Sequence, residues 1–163
     1  MKISSTEPAT YQTENNTNHE DKIIAEALTI LKNRLKTFGK SFTQIQDSKN
    51  YLTLTLSQQE SEEFHVLFLT NQHRLIADEC LFTGTIDGCS VYPREVIKKA
   101  LFHNAAAVIF AHNHPSGLCE PSSADFAITE KLKNALSYID IRVLDHIVVA
   151  GVETYSFAEH GRI

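Results

Sequence analysis

Two histidines stand two residues apart, His112 and His114, and an aspartate follows at Asp125, all inside the window AHNHPSGLCEPSSAD over 111–125. Two imidazoles and one carboxylate make a ligand set of borderline hardness, suited to Zn²⁺. Structural zinc sites normally close with four protein ligands rich in cysteine, whereas catalytic ones keep three and leave a corner for water. No further Cys or His follows at structural spacing, so an open site is the expectation. Taken singly, each feature has a plainer reading. An H-x-H pair is commonly a surface pair, a helix-start aspartate commonly answers the helix dipole, and Pro115, Gly117 and Pro121 mark a loop. Their joint placement directly behind an apolar run favours the metal.

The elements that must position these groups follow from periodicity. Ala105 to Phe110 is a short continuous apolar run, the pattern of a central strand buried on both faces. At its end an i, i+2 pair such as His112 and His114 points to one side. A polar stretch from His112 to Ser123 leads into a helix whose apolar side carries Phe126, Ala127, Leu132, Ala135, Leu136 and Ile139. Ser122 or Ser123 is placed to cap it, with Asp125 in its first turn. Upstream, Phe64–Leu69 and Leu75–Thr83 read as a hairpin, and Pro93 opens a helix through Val96, Ala100 and Leu101. Ile141–Ala150 and Thr154–Phe157 read as two last strands. Asp47–Ser57 is ambiguous: a short helix, or a strand through the alternation at Thr53–Leu56. A helix from Asp21 is expected to stop near Gly39, and Gly84 and Asp87–Gly88 punctuate the segment before Pro93. Alternating helix and strand predict an α/β, three-layer architecture with helices packed on a mixed sheet.

At 163 residues the chain fits one domain with a short appendage. Residues 1–20 are polar and read as a flexible tail, 21–58 as a helical segment, and 59–163 as the main domain. The net charge of −5 does not ask for nucleic acid, so DNA is a possible partner that charge does not indicate. The three cysteines Cys80, Cys89 and Cys119 share no C-x-x-C spacing and read as thiols of a reducing compartment. The start lacks the apolar region of a secretory signal, and no apolar run is long enough to span a bilayer. A cytoplasmic protein is expected, with no membrane partner and an oligomeric state that the sequence leaves open.

The pattern H-x-H-x₇-S-x₂-D, realised as His112, His114, Ser122 and Asp125, resembles the JAMM (MPN+) metalloprotease motif. With AAAVIFAHNHPSG at 105–117, VYPREVIKKAL at 91–101, EPSSAD at 120–125 and IRVLDHIVVA at 141–150, the chain resembles the RadC family from about Glu62 to Ile163. The resemblance implies a JAMM-type fold, similar to that of cytidine deaminases. Full-length RadC proteins carry an N-terminal helix-hairpin-helix region, which residues 1–45 are too few and too polar to hold. The resemblance further implies Zn²⁺ on His112, His114 and Asp125, and an upstream glutamate that handles the proton of the attacking water. Glu62 and Glu63 both stand before the strand. The family's E-x-F pattern favours Glu62 with Phe64, and Glu63 is the runner-up because other JAMM enzymes place the acid directly before the aromatic. Ser122, by family position, donates a hydrogen bond to the developing oxyanion.

The expected chemistry is metal-assisted hydrolysis of an amide or isopeptide bond in a peptide or protein substrate, with Glu62 as general base. The competing expectation is a binding module that keeps the fold, in DNA repair or mobile-element functions. Nucleobase deaminases need H-x-E with P-C-x-x-C, and that pattern is absent, as is H-E-x-x-H. Asp145 and His146 form a second polar pair inside an apolar strand. A satisfied structural pair is the preferred reading, with support of a metal ligand as the other. Cys119 reads as a bystander.

Overall fold

The computed structural model describes residues 19–30, 33, 42, 44–84 and 91–163. The expectations for residues 1–18, Gly39 and Asp87–Gly88 lie outside the described residues. Helix α1 occupies 19–30, and α2 runs Ile45–Leu56. Then follow strands β1 (Glu63–Leu69) and β2 (Leu75–Thr83), helix α3 (Pro93–Phe102), strand β3 (Ala107–Asn113), helix α4 (Ser123–Ser137), and strands β4 (Arg142–Ala150) and β5 (Glu153–Ser156). The five strands form one sheet in the order β2-β1-β3-β4-β5. Only β3 and β4 are parallel, and α4 is the crossover between them.

Strand alternation splits the core into two layers. Leu67, Leu69, Ile109, Ala111, Ile147 and Val149 pack on one face with Tyr51, Leu52 and Leu56 of α2. Phe64, Val66, Phe68, Val108 and Phe110 pack on the other with Val96 and Ala100 of α3 and Leu132 and Leu136 of α4. The three-layer mixed α/β architecture expected from the sequence is the one observed.

Two points that the sequence left open are decided here. The Thr53–Leu56 alternation is helical, because Tyr51, Leu52 and Leu56 turn inward together on α2 and are buried beneath the sheet. The β3 strand extends beyond the apolar run, as the placement of His112 at its end requires. It continues through His112 to Asn113, paired on one side with β1 and on the other with β4. Those flanking strands supply the backbone partners that polar residues at a strand end otherwise lack. Among the described residues, no helix is long and apolar enough to cross a membrane.

Candidate metal centre

His112 lies on the α3/α4 face of β3, in register with Phe64 of β1 and Val148 of β4. It is fully buried. His114 lies just past the strand, but its N–H donates to Val149 O at 2.8 Å, which extends the ladder and holds the second imidazole beside the first. The chain then turns at Gly117, which takes the left-handed φ of 81°. Ser122 caps α4. Its Oγ accepts the Asp125 N–H at 3.2 Å, while its own N–H and Oγ–H donate to Asp125 Oδ2 at 2.7 and 2.8 Å. This reciprocal box fixes Asp125 at the helix start with Oδ1 turned toward the histidines.

The donor atoms converge. Nε2 of His112 lies 3.0 Å from Nε2 of His114 and 3.2 Å from Asp125 Oδ1, and His114 Nε2 lies 3.6 Å from Asp125 Oδ2. A carboxylate oxygen of Glu62 joins them, all four donors lying within 4.8 Å of one another. Tetrahedral ligands at Zn–N and Zn–O bond lengths are separated by about 3.3 Å, so these spacings suit one small cation.

The hydrogen-bond network assigns the tautomers. Thr129 Oγ1 gives its proton to Asp125 O at 2.5 Å and accepts from His146 Nδ1 at 2.6 Å. His146 Nε2 is then bare and accepts the Nδ1–H of His112 at 2.8 Å. His114 Nδ1–H donates to the Leu118 carbonyl at 2.6 Å. Both Nε2 atoms are thereby left as lone pairs facing a carboxylate. Asp125 Oδ1 is buried and has no hydrogen-bond partner. Three electron-pair donors gathered in a buried corner with an orphaned oxygen fit a cation.

The carboxylate and the imidazoles also shift one another's titration. Burial would raise the Asp125 carboxyl, but the imidazoles of His112 and His114 outweigh it and hold it well below the usual carboxylate range. Asp125 raises the His114 pKa against the opposing effect of burial. Burial pushes His146 well below the ordinary imidazole value, in keeping with a neutral ring that accepts at Nε2.

Glu62 and Glu63 part company by strand parity. Half-buried Glu62 lies with the metal donors, whereas the Glu63 carboxylate lies 3.1 Å from His65 Nε2, on the other face. The Glu62 carbonyl accepts the Gly84 N–H at 2.8 Å. Asn113, between the two histidines, points away from them. Its Oδ1 accepts the Glu63 N–H at 2.8 Å, and its Nδ2 donates to Ser61 O at 2.9 Å and Gln59 O at 3.3 Å. This buried amide fastens the Glu62 segment to the histidine strand. Sequence reasoning missed it, although an Asn alternating with two ligand candidates was the available signal.

Of the two readings of Asp145 and His146, the satisfied structural one holds for Asp145 and the support of a ligand candidate for His146. Asp145 accepts from His146 N, Ala158 N and Ser156 Oγ at 2.7, 2.9 and 2.7 Å, bracing the turn after β5. The His146 ring instead supports His112. Cys119 lies outside the donor cluster, with Sγ 3.8 Å from Glu153 Oε2.

The model of the RadC-like JAB domain family matches residues 42–162. A UPF0758 protein of Vibrio cholerae (strain M66-2) is 59% identical over 125 residues, 77% of this chain and 56% of its own length. The UPF0758 proteins YeeS and YfjY of Escherichia coli K12 are 54% and 51% identical over 87% and 86% of this chain, and over 96% and 88% of their own lengths. The chain thus spans little more than half of the Vibrio relative but nearly all of YeeS. A mixed sheet whose central strand delivers two histidines to a helix-capping aspartate, matched by that family's model over most of its length, makes this chain a member of the RadC-like JAB domain family.

Proposed function

We propose that the protein is a zinc-dependent hydrolase of amide or isopeptide bonds, acting on a peptide or protein substrate in the cytoplasm. The observation that carries this reading is the convergence of His112 Nε2, His114 Nε2 and the unpartnered Asp125 Oδ1, with the Glu62 carboxylate alongside. When bound there, Zn²⁺ supplies Lewis-acid polarisation and brings the pKa of a water down to about 7. His112, His114 and Asp125 are the residues that would hold it.

Glu62 takes the proton of the attacking water and returns it to the leaving amine, so its carboxylate must be ionised at the start of the cycle. Ser122 donates its Oγ–H to the developing oxyanion. Doing so releases one of its two bonds to Asp125 Oδ2, while the backbone N–H bond at 2.7 Å keeps the carboxylate in place. An open cleft of about 450 Å³, lined by Gln59, Glu60, Asn113, Pro115 and Gly151, borders the donor cluster at His114, and the substrate is placed along it. Its open shape and mixed polar and apolar walls suit an extended peptide better than a small buried ligand.

The test is metal analysis of the purified protein together with a peptidase and isopeptidase screen of wild type, Glu62→Gln, Glu63→Gln and His112→Ala. Metal at this site retained in Glu62→Gln but lost in His112→Ala, with hydrolysis abolished in both and kept in Glu63→Gln, supports the proposal. A folded wild type that takes up no metal at this site defeats it. Salt-sensitive DNA binding that survives chelation would favour the binding-module alternative instead.

A further inference from the structure

The face of β1 opposite Glu62 carries a second convergence of donors. Glu63, His65 and Cys80 each place a ligand atom within 4.8 Å of the others. The register makes this possible. A bulge between Phe64 and His65 passes over Leu81, so that Cys80 of β2 pairs directly with His65 of β1. Directly opposed residues share a face with their Cβ atoms about 5 Å apart, and Glu63 joins that face two residues before His65.

His65 is held the way metal-ligating histidines are held. Its Nδ1 faces Asp78 Oδ1 at 2.8 Å, and the other oxygen of Asp78 accepts the Tyr51 hydroxyl at 2.6 Å. A carboxylate on Nδ1 fixes the ring and turns Nε2 outward. That Nε2 is 3.1 Å from Glu63 Oε2. The ring itself is buried, whereas Cys80 opens to solvent at the edge of the sheet and gives an ion a path of entry.

We propose that Glu63, His65 Nε2 and Cys80 Sγ form a second divalent-cation site, of borderline-soft preference and separate from the His112–His114–Asp125 centre. Thiolate, imidazole and carboxylate together select Zn²⁺ or Co²⁺ over Mg²⁺ or Ca²⁺. Three protein ligands leave one corner for solvent. Binding releases to solvent the Cys80 thiol proton, now directed at Phe82 O at 3.5 Å, together with any proton held on His65 Nε2. Glu63 shares a peptide unit with Glu62, so an ion here also stiffens the start of the strand that carries the acid of the first site.

The two sites differ in a way that spectroscopy reads. Co²⁺ bound by thiolate gives an intense near-ultraviolet charge-transfer band, and the His112–His114–Asp125 set contains no thiolate. Titration of the metal-free full chain with Co²⁺ should reach two equivalents and develop that band. Cys80→Ser, at an exposed position, should keep the fold, remove the band and lose one equivalent. Glu63→Gln should weaken binding of the band-forming ion at least tenfold, while Cys89→Ser and Cys119→Ser leave the band unchanged. His112→Ala should lose the other equivalent and keep the band, so failure of the first site is read separately. A titration to excess Co²⁺ without a band, or a band that survives Cys80→Ser, overturns the proposal; His65 would then serve only to bridge Glu63 and Asp78.

Discussion

His112 and His146 meet ring to ring across two parallel strands, Nδ1 to Nε2 at 2.8 Å, both fully buried. A histidine that is offered a lone pair on Nδ1 has only one neutral form available, and that form presents a bare Nε2. The direction is set further back, where Thr129 gives its only proton to a backbone carbonyl and so must accept from His146.

His146→Ala should therefore weaken metal binding by about 10–100-fold without removing any ligand. It also leaves the His112 Nδ1–H unpaired in the core, at a cost of about 1–3 kcal/mol. Thr129→Val should show a smaller loss in the same direction, and Thr129→Ser should restore wild-type affinity. Competition with a chromophoric chelator measures the affinities, and ¹⁵N shifts of the His112 ring in the metal-free protein report the tautomer. Unchanged affinity and tautomer in His146→Ala would remove the relay from the account.

Asn113→Ala separates holding the metal from placing the acid. Its three hydrogen bonds reach the Gln59–Glu63 segment and none reaches a histidine. Metal affinity should stay within about threefold of wild type, whereas turnover should fall by about 10²-fold or more as Glu62 loses its position. Equal losses in metal affinity and turnover would show that the amide supports the whole site.

Ser122→Ala removes the side-chain half of the α4 cap, which should lower stability by about 1 kcal/mol in chemical denaturation. The backbone N–H still holds Asp125 Oδ2, so metal affinity should be largely retained. Turnover should fall by about 10²–10³-fold if the hydroxyl serves the oxyanion. Metal loss as large as the loss of turnover would restrict Ser122 to orienting Asp125.

Away from the site, Glu79 on β2 accepts from Lys99 Nζ and His103 Nε2, both at 2.6 Å, and so ties the sheet edge to α3. The Lys99 bond, helped by His103, outweighs burial and holds the Glu79 carboxyl below its ordinary value. A depressed carboxylate contributes stability that is present above its unfolded pKa of about 4.3 and is lost as pH falls through the lower folded value. Because the pair is partly exposed, the effect should be small. Denaturation midpoints of wild type should drop between about pH 5 and pH 3, and Glu79→Gln should flatten part of that drop. Identical profiles for the two proteins would assign the acid sensitivity to other carboxylates.

What the sequence determined by itself was local. The spacing of His112, His114, Ser122 and Asp125 identified the donor cluster, because a strand end, a short loop and a capped helix start are set by neighbours along the chain. The apolar run before them marked a buried central strand for the same reason. The helix at Ile45–Leu56 was legible only as one of two alternatives, since Gln44 supplies no side-chain cap and Leu52, Leu54 and Leu56 alternate like a strand. Only packing of Tyr51, Leu52 and Leu56 beneath the sheet decides it. Between Glu62 and Glu63 only the family's E-x-F pattern gave a preference, and it is the pairing of Phe64 with His112 that sends one to each face. His146 becomes a partner of His112 only when β4 lies parallel to β3 in the observed register. Register joins residues far apart in the chain, so no local pattern encodes it, and the tertiary structure alone decides which buried side chains meet.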